Sequence, residues 1–334
     1  MSIQSCGRSQ RPLYNLSVVV GPQFYWSEGA KRFAELVKTK TNGKINIKPY
    51  YGGELFKGQQ TSEFQLLSQG VIDFAWGSTI NWSTVIKELN LFSLPFFIND
   101  FDSLDRLESG ETGKKLFALL EDRGVKPLSW AENGFRQLTN SKRAINRPSD
   151  IAGLKIRVVG SPIFIDIFKT LRADPVSMNW GDAIAAFSQG VVDGQENPTG
   201  ILVPVHIWEY HKHLFMWNYV VDPIIVAVNK ERFDKMPPDI QQVIMSSAEE
   251  AARWEKAVVR CGFDNGTSIK ILQDEFHYSV PSDVYDFKSK GMTITTPTNK
   301  TIKEFRNKLQ SVYDRWIPTI GEDIYNDAMN DMNL

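Results

Sequence analysis

Cysteine is nearly absent from this chain: Cys6 and Cys261 are the only two, too few for a disulfide framework or a thiolate-rich zinc site. Hydrophobic runs are short. None approaches the eighteen or so apolar residues that a membrane-spanning helix requires, and the start, MSIQSCGRSQRPLYN, lacks the apolar segment of a signal peptide. Neither sign of charge prevails, with 38 Lys and Arg against 39 Asp and Glu, so no global field draws the chain to nucleic acid or anionic lipid. A small-molecule partner is expected instead. Catalytic signatures are missing as well: no G-x-S-x-G elbow, GxxxxGK[ST] phosphate loop, GxGxxG fingerprint or HExxH pair occurs. His206, His211 and His213 therefore read as solvated residues near helix ends, and no metal or cofactor is expected. No low-complexity tract or fixed-period repeat is visible.

What is present is alternating α/β patterning, in a chain of 334 residues that is long enough for two domains. Residues 16–21 read as a strand, 27–43 as an amphipathic helix with Ser27 as N-cap and Gly43 as stop, and 45–51 as the next strand. A helix ending at Gly70 and a strand over 71–77 continue the pattern. The alternation predicts a parallel sheet whose loops at 22–26, 54–59 and 77–82 lie on one edge.

A second lobe is predicted from Gly134, with strands 135–141 and 153–160, a helix over 161–173, and a helix-then-strand over 181–194 that places Asn179 and Trp180 at a helix entrance. Strand 221–231 returns, and Pro237-Pro238 opens a helix-periodic stretch to Phe276; as one helix it would be on the order of 45 Å long and brace both lobes. Strand-like MTITTP and an amphipathic helix over 301–316 follow. Crossings near 134, 222 and 262 divide the chain into a disordered leader (1–13), lobe I (14–133 plus 222–262) and lobe II (134–221 plus 263–334), hinged about a shared cleft.

Arg157 stands in IAGLKIRVVGSP (151–162), an apolar strand whose only other charge is Lys155. A buried arginine must satisfy five N–H donors, and a planar carboxylate matches two of them at once, so Arg157 is read as an anion anchor. Arg136, in FRQLTNS, is either a second site arginine or an exposed cross-strand charge. Asn197, after the turn in VVDGQENP, offers an amide donor and acceptor. Trp180 is either a flat cleft wall or a cap on the helix that follows. Asp193, Gln195 and Glu196 suit a turn, and Glu196 is also placed to brace an arginine from behind. Trp82, Trp130, Trp180 and Trp208 sit in polar contexts that fit stacking surfaces as well as core.

These residues carry a resemblance. Residues 153–198, GLKIRVVGSPIFIDIFKTLRADPVSMNWGDAIAAFSQGVVDGQENP, resemble the core of DctP-type substrate-binding proteins of tripartite ATP-independent periplasmic (TRAP) transporters. The likeness extends to GKINIKPYYGGELFKGQQTSEFQLLSQGVIDFAWGS, LNLFSLPFFIND, NGFRQLTNSKRAI and KERFDKMPPDIQQVI, and so covers most of 14–320. The resemblance implies a two-lobed α/β protein of the periplasmic-binding-protein class II type, with a long helix spanning both lobes. It would work in the periplasm as a monomer, handing an organic acid to a permease driven by an ion gradient, without catalysis. It also implies that Arg157 pairs with the ligand carboxylate, that Arg136 and Asn197 assist, and that Trp180 lies over the ligand. Residues 1–13 would remain after removal of a signal peptide; Cys6-Gly7 fits a lipoprotein start, although IQSC is a poor match to the cleavage site.

The chain departs from the sialic-acid branch, carrying Ser78 and Asn81 where that branch has charged residues and Lys57 where it has an acid. Gln23, Phe24, Tyr25 and Trp26 would give a more aromatic wall than a dicarboxylate needs, and Asp222 would accept ligand hydroxyls while repelling a second carboxylate. The expected ligand is a hydroxy or keto monocarboxylate such as a sugar acid, with an aromatic acid as the next choice. Closure would bring Tyr25, Ser78 and Asn81 onto an acid already held by Arg157. Two alternatives stand: an enzyme using Asp222 or Glu196 as general base, and a ligand-sensing partner of a membrane receptor.

Overall fold

The computed structural model describes residues 13–334, so Cys6 and nearly all of the expected leader lie outside the described residues. Strands β1 (Leu13–Val18), β2 (Asn46–Tyr50) and β3 (Phe74–Ser78) are parallel, with β2 at the partly exposed edge and β3 buried throughout. The long β4 (Val125–Asn140) serves both lobes. Its first part pairs antiparallel with β9 (Val221–Asn229), and its last residues pair antiparallel with β7 (Gly194–Pro198) and with β8 (His213–Phe215). In lobe II, β5 (Lys155–Val158) runs parallel between β7 and β6 (Asp174–Ser177), and a short β10 (Thr293–Thr295) pairs with β8. The strand order is β2-β1-β3-β9-β4-β7-β5-β6, so β9 and β4 form the bridge between lobes.

The crossing is irregular where it matters. The β4–β9 register shifts between Glu132 and Gly134, a bulge that turns Asn133 toward the cleft, and Asp222, the second residue of β9, lies opposite Gly134. Aromatic clusters fill each lobe: Phe33, Phe74 and Trp76 under β3, and Trp217, stacked 4.2 Å from Tyr219, with Phe168 and Phe305 in lobe II. Each such ring removes enough apolar area to contribute about 2–3 kcal/mol on burial.

Several boundaries differ from the sequence reading. The first helix begins at Tyr25, not after Ser27; Phe24 occupies the N-cap, and the Ser27 hydroxyl donates to Gly21 O at 2.7 Å from inside the first turn. The stretch expected as one long helix is two, Pro238–Arg260 and Thr267–Phe276, parted by a turn that contains Gly262 at φ +86°. The second folds back and packs Leu272 against Trp254 and Val258 of the first. A helix that reaches across both lobes is Asn299–Ile320. Its Arg315 and Trp316 hold Asp166 of lobe II, and Tyr313 donates to Pro95 O of lobe I. The last helix, Glu322–Met332, packs on Phe101–Ser109 and Glu111–Asp122, where Asp331 accepts the N–H groups of Glu111 and Thr112. The chain after 263 therefore serves both lobes.

One short motif occurs once in each lobe. SQGVID (68–73) and SQGVVD (188–193) each end a helix at a glycine in the left-handed region, Gly70 at φ +72° and Gly190 at φ +63°. An exposed valine follows, then an aspartate that accepts a backbone N–H of the neighbouring strand: Asn15 to Asp73 and Lys155 to Asp193, each at 2.8 Å. Two copies alone define no fixed period.

Candidate ligand-binding site

Both lobes present the ends of their parallel strands to one narrow cavity of about 30 Å³, small because the lobes meet across it. Lobe I contributes Val19 and Val20 after β1, Trp26, Gln60, and Ser78 with Asn81 at the end of β3. Lobe II contributes Arg157 and Val159 of the β5 end, Trp180, Asn197 of β7 and Ile201; the crossing strands add Asn133, Arg136 and Asp222.

Arg157 is 1% exposed and has no carboxylate partner among the described residues. Its Nε and Nη2 both donate to the carbonyl of Met178, at 3.1 and 2.8 Å, which fixes one edge of the guanidinium and leaves Nη1 without a hydrogen-bond partner among the described residues. The Trp180 ring centroid lies 5.7 Å from its Cζ, and the indole N–H of Trp180 is itself buried without a partner among the described residues. Burial pulls the Arg157 pKa down to about 10, with Glu196 opposing and Arg136 adding to the effect, so the group remains a cation at neutral pH. A buried, oriented and unmatched cation is a site for an anion.

Arg136 is the opposite case. Its Nε and Nη2 form a fork onto Glu196 at 2.5 and 2.8 Å, Nη2 also meets Asn197 Oδ1 at 3.0 Å, and Nη1 reaches Asp222 Oδ2 at 3.2 Å. Burial disfavours its charge, but Glu196 and then Asp222 outweigh burial and hold the guanidinium well above its ordinary value. Of the two sequence readings, the exposed cross-strand charge is ruled out by an exposure of 3%.

Glu196 lies under the cavity, where Tyr219 also donates to it at 2.7 Å, and braces Arg136 rather than Arg157. Asp222 accepts from Ser78 Oγ at 2.7 Å, Asn133 Nδ2 at 2.8 Å and Arg136, while burial raises its pKa against these three partners.

The lobes meet directly around this cavity. Gln60 of lobe I donates to Asn81 Oδ1 and accepts the backbone N–H of Trp180 from lobe II, both at 2.8 Å. Ser83 and Ser161 Oγ are 3.0 Å apart, and Ser161 donates to Asn90 at 3.2 Å. Phe24 sets its ring edge-on to Trp180 at 6.3 Å.

Two expected wall residues lie elsewhere. Because the helix starts at Tyr25, Trp26 turns into the cavity and donates its indole N–H to Trp76 O, while Tyr25 turns roughly a hundred degrees away. Tyr25 is half-buried near Tyr278 and Cys261, where burial, ahead of Tyr278, raises its hydroxyl to about 12. Gln23 is exposed and folds back over Gly21. His211 is likewise not solvated: it is buried, with Nδ1 2.8 Å from Thr139 Oγ1, and burial lowers its pKa to about 4. Gln60 lies one position beyond the edge loop expected at 54–59, and Asn133 lies just before the second lobe expected from Gly134.

No helix among the described residues is long and apolar enough to cross a membrane. Among solved structures, the chain is similar to a TRAP periplasmic solute-binding protein of Ralstonia eutropha H16 with bound (S)-2-hydroxy-2-methyl-3-oxobutanoate, at 42% identity and a TM-score of 0.89 over 96% of this chain and 98% of that one. A TRAP periplasmic solute-binding protein of Sulfurospirillum deleyianum with bound succinate is 26% identical, with a TM-score of 0.81 over 95% and 97% of the two chains. The 2,3-diketo-L-gulonate-binding periplasmic protein YiaO of Escherichia coli is 31% identical over 69% of this chain and 70% of its own length. The profile described as bacterial extracellular solute-binding protein, family 7 (DctP) matches residues 16–261, and the chain belongs to that family.

Proposed function

We propose that this chain captures a small monocarboxylate bearing hydroxyl or keto groups by pairing its carboxylate with Arg157, closes around it, and delivers it to the ion-gradient-driven permease of a TRAP transporter. The observation that carries the reading is the guanidinium of Arg157: buried, clamped on one edge by Met178 O, and unmatched on the edge that meets the cavity. The Ralstonia relative holds a 2-hydroxy-3-oxo monocarboxylate, and the Escherichia coli relative is named for a diketo sugar acid, which supports this ligand class. Ligand docked on lobe II would gain Ser78, Asn81 and the Gln60 bridge only when the lobes meet, so its binding energy shifts the population toward the closed form. Neither Glu196 nor Asp222 is a free base, since each already holds Arg136 together with at least one further donor.

A thermal-shift screen over organic acids tests the reading. At a hundred times Kd a true ligand adds about 2.7 kcal/mol of stability. Hydroxy and keto monocarboxylates should produce that shift in the natural chain and none in Arg157→Ala; equal shifts in both would refute the anchor.

A further inference from the structure

We propose that Asp222 sets the charge of the ligand: the site takes one carboxylate, on Arg157, and a hydroxyl, on Asp222 Oδ1, and rejects a second carboxylate. This rests on the Arg157 reading above. The groups lining the cavity have donors to spare. Arg157 Nη1 and Asn81 Nδ2 have no partner among the described residues, and Asn197 Nδ2 has one N–H beyond the one it gives to Gln195. The neutral side-chain acceptors are each half engaged: Asn81 Oδ1 takes Gln60, Asn197 Oδ1 takes Arg136, and Ser78 Oγ takes the N–H of Ile80, and each keeps one lone pair. Asp222 Oδ2 takes both Asn133 and Arg136, whereas Oδ1 takes only Ser78 and, as a carboxylate oxygen, retains a lone pair.

Asp222 is the one carboxylate among the described residues that line the cavity, so a ligand hydroxyl on Oδ1 makes a charge-assisted bond that the neutral amides do not match. Val19, Val20, Val159 and Ile201 give apolar stretches of wall. The same carboxylate discriminates by charge. Arg136 is committed to Glu196 and Asp222, so a second ligand carboxylate would meet the Asp222 carboxylate inside a narrow cavity with no counter-ion left for it.

The test is calorimetric titration of the purified chain with three matched acids: 2-hydroxy-2-methylbutanoate, 2-methylbutanoate lacking the hydroxyl, and citramalate adding a carboxylate. The natural chain should bind the first at least about tenfold more tightly than either of the others. Asp222→Asn should reduce the hydroxyl preference to about threefold or less and gain about tenfold for citramalate. A natural chain indifferent to the hydroxyl or preferring citramalate would overturn the proposal, and that comparison needs no variant to fold. An Asp222→Asn protein with unchanged ratios would overturn it too. If Arg157→Ala retains full affinity for the hydroxy acid, the anchor reading falls; if it loses that affinity while Asp222→Asn keeps the natural ratios, only the Asp222 inference falls.

Discussion

The two lobes put different chemistry at equivalent positions. β1 pairs with β3 through Leu16 and Phe74, and β5 pairs with β7 through Ile156 and Gly194, each just beyond the SQGV-x-D turn, so Ser17 and Arg157 share one structural position. In lobe I that position is closed: Ser17 donates to the fully buried Glu63 at 2.6 Å, and Trp82 donates to the same carboxyl at 3.0 Å. In lobe II it is open, because Arg157 reaches past the core to Met178 O and the cavity. The one-turn helices that follow invert the pattern. Lobe I offers Asn81 where lobe II offers Ile201. Both lobes thus supply apolar walls and neutral polar groups, and lobe II alone adds the Arg157 cation. That division fits capture by lobe II followed by completion from lobe I.

The sharpest way to break this comparison is to truncate both equivalent residues. Arg157→Ala should leave the fold intact and weaken acid binding by about 2–5 kcal/mol, whereas Ser17→Ala should leave affinity unchanged and lower stability by about 1–3 kcal/mol through the acceptor left short on Glu63; calorimetry and denaturant titration separate the two.

Next in size is the pH dependence of the closed position. Burial raises the Glu63 pKa from 4.5 to about 7, against hydrogen bonds from Ser17 and Trp82, so between those values the folded state binds more protons than the unfolded state. The contribution of Glu63 to stability is therefore fully present below 4.5 and declines as pH rises toward 7, by at most about 3 kcal/mol. Glu63→Gln should flatten that part of the stability profile, and an unchanged slope would contradict the assignment.

Removing the lobe I contacts should have a smaller effect. Asn81→Ala and Gln60→Ala should each weaken binding by about 1 kcal/mol and shift the unliganded protein toward open forms in small-angle scattering. Smallest of all, Asp73→Asn and Asp193→Asn should each lower stability by about 1 kcal/mol without changing affinity, since both carboxylates hold only a strand N–H and a surface cation.

Much of the lobe II half of the site is legible in the sequence. An arginine in an otherwise apolar strand, a tryptophan at a helix entrance and an asparagine after a turn are each conspicuous against their surroundings. The lobe I half is less so. Tyr25 faces away because it is the first residue of the helix and its successor Trp26 takes the inward face, and Gln23 stands before the helix in an exposed turn. Gln60 and Asn133 are neutral amides with no sequence signature, and Asn133 faces the cleft only because β4 bulges there. That Arg136 is committed to Glu196 and Asp222 was also hidden, since its partners come from strands some sixty and ninety residues away.

A crystal structure of the complex with 2-hydroxy-2-methylbutanoate tests the central claim most directly. The ligand carboxylate should lie about 2.7–3.1 Å from Arg157 Nη1, with Met178 O still holding the opposite edge. A guanidinium turned down onto Glu196, with the acid gripped by other groups, would contradict it.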